Sequence, residues 1–214
     1  LLGRPADTLD ILDGWIVPAG SGEMLLSLGD LAMNAFYSLD RPVHITAEAT
    51  HQCKTNTFAF GCCFAEVEVD IPVGKVRVLD IINVHDSGVL INPKLAEAQV
   101  HGGMSMGLGY ALGEQLLYDA KGRPLNANLL DYKLPTAMDT PELHAAFVQT
   151  VDSSAPYGNK ALGEPPAIPV APAIRNAVLH ATGVAVDSLP MSPQKLVEAF
   201  MQAGLIDKGG RQDV

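Results

Sequence analysis

The sequence is short of positive charge. Against 24 Asp and Glu it sets only 14 Lys and Arg, a formal net charge of −10. A surface that holds nucleic acid or an anionic membrane needs clustered Lys and Arg, so composition argues against both partner classes. Cysteine is scarce too. Cys53, Cys62 and Cys63 are odd in number and two of them are adjacent, which argues against a disulfide framework and for reduced thiols in a cytoplasmic protein. No Cys-x2-Cys pair and no Cys-x4-Cys-x2-Cys spacing occurs, and His44 and His51 beside Cys53 do not replace them. Zinc and iron–sulfur binding by this chain are therefore not expected. No stretch reaches the roughly 18 apolar residues of a membrane span, and no charged segment followed by an apolar run opens the chain. A phosphate loop is also missing: "NVHDSGVLINP" lacks the glycine spacing, and Ser87 is not in a Gly-x-Ser-x-Gly elbow. Asp86-Ser87-Gly88 reads instead as a turn that ends a strand.

What is present is a globular composition, 48% hydrophobic against 18% charged, long enough for one sizeable core or two small ones. The opening "LLGRPADTLDILDG" has no initiator Met and reads as the middle of a domain, so the chain is expected to be a piece of something longer. Residues 8–17 alternate as a strand, and a turn through Pro18, Gly20 and Gly22 leads to a short second strand at 24–26. Ser27 with Asp30 resembles a capping box and opens a helix to about residue 38. A strand is expected at 43–49. "CCFAEVEVD" alternates, with Cys63, Ala65, Val67 and Val69 on one face, and Pro72 and Gly74 reverse it into "KVRVLDIIN". One thiol of the Cys62-Cys63 pair is thus expected to be buried and inert, the other on the opposite face. Asn92 and Pro93 launch a long helix. A turn over 117–126 and a strand at 143–151 follow. A helix from about 173 ends at Gly183, and a last amphipathic helix after Ser192-Pro193 carries Leu196, Val197 and Phe200. Strand pairs mixed with helices, without strict βαβ alternation, point to α+β. Residues 1–206 read as one domain and 207–214 as a polar tail.

Two features carry candidate chemistry. The long helix contains Gly102, Gly103, Gly107, Gly109 and Gly113, each costing about 0.5–1 kcal/mol relative to Ala. The glycines leave flat strips, with Gln99 one turn before Gly103. Either another element of the protein packs closely there, or Gln99 presents its amide to a large cofactor along the strip. Second, Glu164 stands between Gly163 and Pro165-Pro166 in "KALGEPPAIPVAPAIRNAV". A residue before proline is driven from the helical region, so Glu164 is expected just before the helix, near its N-terminus. There it is either a dipole-favoured capping acid or a rigidly aimed general base. Pro169 and Pro172 are expected to tighten or kink the first turns.

"INPKLAEAQVHGGMSMGLGYALGEQLLYDAKGRPLNANLLDYKLPT" and "NKALGEPPAIPVAPAIRNAV" closely resemble the molybdenum hydroxylases, the xanthine dehydrogenase and aldehyde oxidoreductase family, in the C-terminal part of the molybdenum-cofactor-binding subunit. The resemblance implies that Glu164 is the active-site base beside the metal. It also implies that Gly163 lies where backbone contacts the metal site, and that Gln99 hydrogen-bonds the pterin of the molybdenum cofactor (molybdopterin). His101 and Met104-Ser105-Met106 depart from the commonest family wording. The resemblance places iron–sulfur clusters, FAD and the substrate-recognising residues in other domains or subunits. The expected whole enzyme hydroxylates a purine or similar heterocycle with water as the oxygen source; "LLDYKLPT" leans towards xanthine dehydrogenase. An aldehyde-oxidising or other aromatic-hydroxylating relative is the alternative, and a non-catalytic assembly module is the rival from another class. Alone, the chain is expected neither to hold the cofactor tightly nor to turn over substrate.

Overall fold

The computed structural model describes residues 1–39 and 42–207; the expected polar tail lies, past Asp207, outside the described residues. The chain divides into two compact units, Leu1–His51 and Gln52–Val214.

In the first unit the stretch expected as a single strand is a hairpin. A 3₁₀ turn over Ala6–Thr8 leads into β1 (Leu9–Leu12), which pairs antiparallel with β2 (Trp15–Pro18). Asp13 (φ 48°) and Gly14 (φ 80°) form the two-residue link. An Asp-Gly pair tolerates positive φ at both positions and suits the right-handed twist of the flanking strands, so the alternation belongs to two strands and not to one. β3 (Leu26–Ser27) extends the sheet in the order β1-β2-β3. Ser27 caps α1 (Leu28–Tyr37) as expected, its Oγ accepting from Asp30 N at 2.9 Å. The expected strand at 43–49 does not form. A strand needs a partner edge, and there Val43 N donates instead to the helix carbonyl of Ala35 at 2.7 Å.

The second unit is built on β4 (Phe60–Asp70) and β5 (Lys75–Asp86), the expected hairpin, with a register shift between Glu66 and Val67. Gly74 turns the link at φ 63°. β6 (Glu142–Phe147) joins the other edge of β5 in parallel and ends earlier than the expected 151. A parallel pair needs a long crossover, and α2 (Pro93–Leu112) with the irregular stretch after it supplies one. Asn92 caps α2, its Oδ1 accepting from Leu95 N. α3 (Val170–Thr182) stops at left-handed Gly183, and α4 (Pro193–Gln202) follows Ser192. α3 starts earlier than expected because its first-turn N–H groups lack intrahelical acceptors anyway, so Pro172 removes nothing.

The helices cover one face of the sheet. Val78 and Ile81 of β5 share a buried cluster with Val100, Met104 and Leu108 of α2, Ile174 and Val178 of α3, and Leu196 and Phe200 of α4. Cys63, Ala65, Val67 and Val69 line it from β4 as the alternation predicts. Burial, with Cys62 adding a smaller push, lifts the Cys63 thiol to about 11, while Cys62 is exposed; Cys63 is thus the inert one of the pair. The α+β class is the one the chain adopts, with small three-stranded sheets and helices mixed along it.

Phe200 has no exposed surface, so Phe200→Ala should lower unfolding stability by about 3–5 kcal/mol. Urea titration of the chain would show it as a lower midpoint at similar slope.

Candidate functional site

Glu164 does not sit at a helix mouth. α3 begins at Val170; residues 163–164 form a bend and 165–169 turns before it. The macrodipole acts within the first helical turn, so a capping role for Glu164 has no support in the geometry. Instead Pro165 and Pro166 hold a tight turn in which Ala167 N donates to Glu164 O at 3.0 Å. The Glu164 side chain is exposed. Gln99 reaches this turn from α2: its Nε2 donates to Gly163 O at 2.7 Å, across 64 positions of sequence. The fold thus brings Gln99 and Gly163 into direct contact, with Glu164 as the next residue.

The glycines of α2 explain the approach. A Cβ on Gly103 would strike the Pro166 ring, and one on Gly107 would strike Val170. Gly109 accommodates the side chain of Glu114, whose Oε2 accepts from Tyr132 Oη at 2.8 Å, and Gly113, the C-cap, faces the Lys133 carbonyl. Most of the strip is therefore filled by the chain itself. Gly102 differs: nothing lies within 4 Å of where its side chain would begin, and the same holds for Gly163.

β5 contributes residues that sequence reading passed over. Asn83, His85 and Ser87 alternate onto one face and are 0%, 0% and 3% exposed. Asn83 Nδ2 donates to Pro166 O at 2.8 Å, and Ser87 O accepts from Lys160 N at 2.8 Å. His85 lies against Gly61, and burial holds its pKa below the ordinary value. Asn83 Oδ1, both His85 nitrogens and Ser87 Oγ have no partner among the described residues. The signal was available, since the period of two that puts Ile81 in the core carries Asn83, His85 and Ser87 with it. Next to this row, Asp86 Oδ2 meets Lys160 Nζ at 2.9 Å, with the two side chains 14% and 10% exposed. Asp86 also accepts from Thr150 Oγ1 and Gly88 N. The Lys160 hydrogen bond is the largest of the effects that hold the Asp86 carboxyl below its usual range.

β5 ends at Asp86 as expected, but Gly88, at φ 67°, forms an isolated antiparallel bridge with Asn159 in place of a hydrogen-bonded turn. No three His, Cys, Asp or Glu side chains among the described residues cluster as a metal site, and no helix among them is long and apolar enough to cross a membrane. A groove of about 580 Å³ opens elsewhere, lined by Lys75, Arg77, Leu108, Leu112, Lys133 and Met138 among others, and includes none of Gln99, Gly163 or Glu164. Around those three the requirements of a large organic cofactor are met in part: open backbone at Gly102 and Gly163, a Gln99 amide whose oxygen has no hydrogen-bond partner among the described residues, and an exposed carboxylate.

Comparison with known proteins gives the same direction. Residues 1–141 match the family model described as "Molybdopterin cofactor-binding domain", a span that ends before Glu164. The xanthine dehydrogenase molybdenum-binding subunit of Escherichia coli O157:H7 is 52% identical over 96% of this chain and 28% of its own length. The nicotine 6-hydroxylase large subunit of Paenarthrobacter nicotinovorans is 34% identical over 100% of this chain and 27% of its own. Among solved structures, quinoline 2-oxidoreductase from Pseudomonas putida 86 superposes with a TM-score of 0.76 at 27% identity, over 94% of this chain and 27% of that one. The chain thus spans somewhat more than a quarter of the length of the relatives it matches.

Gly103→Ala must displace the Pro166 turn and should destabilise the chain by about 1–3 kcal/mol. Gly102→Ala, in open space, should stabilise it by about 0.5–1 kcal/mol through better helix propensity. Paired denaturant titrations would separate the two. For Asp86 the depressed pKa sets the sign. Its ionised form is favoured by folding, so its contribution is complete above the unfolded value of roughly 3.9 and is lost as pH falls through the lower folded value. The stability gap between the wild-type chain and Asp86→Asn should therefore be flat above about pH 5 and narrow steadily below about pH 4.

Proposed function

Because this chain belongs to the molybdopterin cofactor-binding domain family of the molybdenum hydroxylases, we propose that it supplies the catalytic base and cofactor contacts of a xanthine-dehydrogenase-like subunit. The observation that carries the reading is the hydrogen bond from Gln99 Nε2 to Gly163 O at 2.7 Å. It ties the helix bearing the candidate cofactor contact to the turn bearing the candidate base, with open backbone on both sides at Gly102 and Gly163.

The whole reaction is taken as RH plus water giving ROH, two protons and two electrons, with RH a purine or similar heterocycle. The bound molybdenum cofactor would supply the two-electron redox chemistry. Iron–sulfur clusters and FAD on other domains or subunits would carry the electrons away. This chain's part is binding, orientation and proton handling. Gln99 would turn its amide oxygen and its second N–H to the pterin while the first N–H stays on Gly163 O. Gly163 would let the ligand approach backbone with no side chain in the way. Glu164 would accept the proton from the attacking water. A base must reach its proton from a fixed position, and Pro165-Pro166 restrict the backbone that carries it.

Residues 1–206 would act together as the C-terminal cofactor-binding part of the subunit, with the remainder completing the site. The purine assignment rests on the 52% identity to the xanthine dehydrogenase subunit. The similarity to nicotine and quinoline enzymes keeps another aromatic heterocycle as the second reading. A cytoplasmic setting is supported by three free cysteines.

In the full holoenzyme, Glu164→Gln should leave molybdenum content intact and lower kcat by about 10²–10⁴-fold. The assay would use the best substrate from a panel of purines, pyridines, quinolines and aldehydes. Retained turnover would overturn the assignment of the base, and wild-type enzyme purified without molybdenum would favour the assembly-module reading.

A further inference from the structure

We propose that Asp86 and Asn83 of β5, with Lys160 on the segment itself, are positioning residues for Glu164: they anchor both ends of the segment that carries it. The inference rests on Glu164 being the base and goes beyond it to what holds the base in place.

Two attachments, one part-buried and one buried, bound the segment. At one end Lys160 is held twice, its N donating to Ser87 O at 2.8 Å and its Nζ meeting Asp86 Oδ2 at 2.9 Å. The ammonium also lies 5.7 Å from the centroid of the Phe60 ring, within range of a cation–π attraction. At the other end Pro166 O accepts from Asn83 Nδ2 at 2.8 Å, and Pro166 is itself buried against Gly103. Asn83 and Asp86 both belong to β5, the central strand of its sheet. Three residues of strand separate them by roughly 10 Å, whereas the chain from 160 to 166 could stretch to roughly 20 Å. The segment therefore has length enough to bow away from the strand between its two attachments. Its exposed residues are Ala161, Gly163 and Glu164, and at Gly163 Gln99 fixes it from α2. The carboxylate is therefore carried on an arch whose two feet stand on one strand.

This arrangement makes specific demands. Removing one partner of a largely buried ion pair leaves the other charge poorly compensated, so losing the Lys160–Asp86 contact should loosen that foot markedly. Misplacement of a catalytic group by about 1 Å can cost on the order of 10²-fold in rate. Loss of either foot should therefore appear as loss of turnover without loss of cofactor.

The test uses the full holoenzyme with Lys160→Met and Asn83→Leu, each close in size to the original, and Lys160→Arg as the conservative variant. Three quantities are read: molybdenum content, hydrogen exchange of the Lys160 and Ala167 amides, and kcat with KM on the panel's best substrate. The expected result for Lys160→Met is unchanged molybdenum, at least tenfold faster exchange, and kcat per molybdenum down about 10–100-fold with KM within about threefold. Asn83→Leu should do the same at Ala167, and Lys160→Arg should recover much of the rate. If either variant fails to accumulate as folded enzyme, the other decides. Unchanged exchange, or activity lost only in step with molybdenum, overturns the proposal. Glu164→Gln in the same preparation keeps the two readings apart. Retained turnover there sinks the base assignment, whereas abolished turnover beside unaffected Lys160→Met and Asn83→Leu sinks the anchoring alone.

Discussion

The candidate site depends on how closely the backbone of residues 166–170 approaches α2. Gly103 and Gly107 have no side chain where Pro166 and Val170 press in, and any Cβ at either place would overlap them. That approach brings Gln99 to Gly163 and seats Pro166 where Asn83 can reach its carbonyl. Mid-helix glycines weaken α2 by themselves; packing against the turn and burial of Val100, Met104 and Leu108 offset the loss.

Electrostatics acts on the same turn from the strand side. β5 carries apolar residues where the helices cover it and then, without changing face, runs into Asn83, His85 and Ser87. Buried polar groups are costly unless bonded, so a row like this is informative. Two of its members spend hydrogen-bonding groups on the segment around Glu164, and Asp86 next in line holds Lys160. His85 has both nitrogens unpartnered among the described residues, and burial holds its pKa below the ordinary value. The strand thus changes from a core element to a polar support along its length.

These features describe an open candidate site. Gln99, Gly163 and Glu164 stand on an open surface, and the chain covers 28% of the length of the xanthine dehydrogenase subunit it resembles. General-base chemistry needs water excluded and charge held by fixed dipoles, and an exposed carboxylate on a solvent-facing turn has neither. Under the proposed function the second unit would supply rigidity and a proton acceptor, with enclosure left to surfaces outside this chain.

Much of this was legible in the residues. The β4–β5 alternation, the caps at Ser27 and Asn92 and the stop at Gly183 follow from local rules, because each is decided by neighbours a few positions away. The hairpin at Asp13-Gly14 was legible and misread, since its alternation runs on through the turn. The strand expected at 43–49 failed because a strand requires a partner edge, which local pattern does not report. The motif around Glu164 marked the residue, while its distance from α3 depended on how Pro169 and Pro172 let the helix start. By itself the sequence determined the periodicities, the turn chemistry and the family motif, all short-range properties. Only the tertiary structure decided that the glycine strip is filled by the chain's own 166–170 segment, and that Asn83, Asp86 and Lys160 converge on one turn, because those contacts join residues more than 60 positions apart.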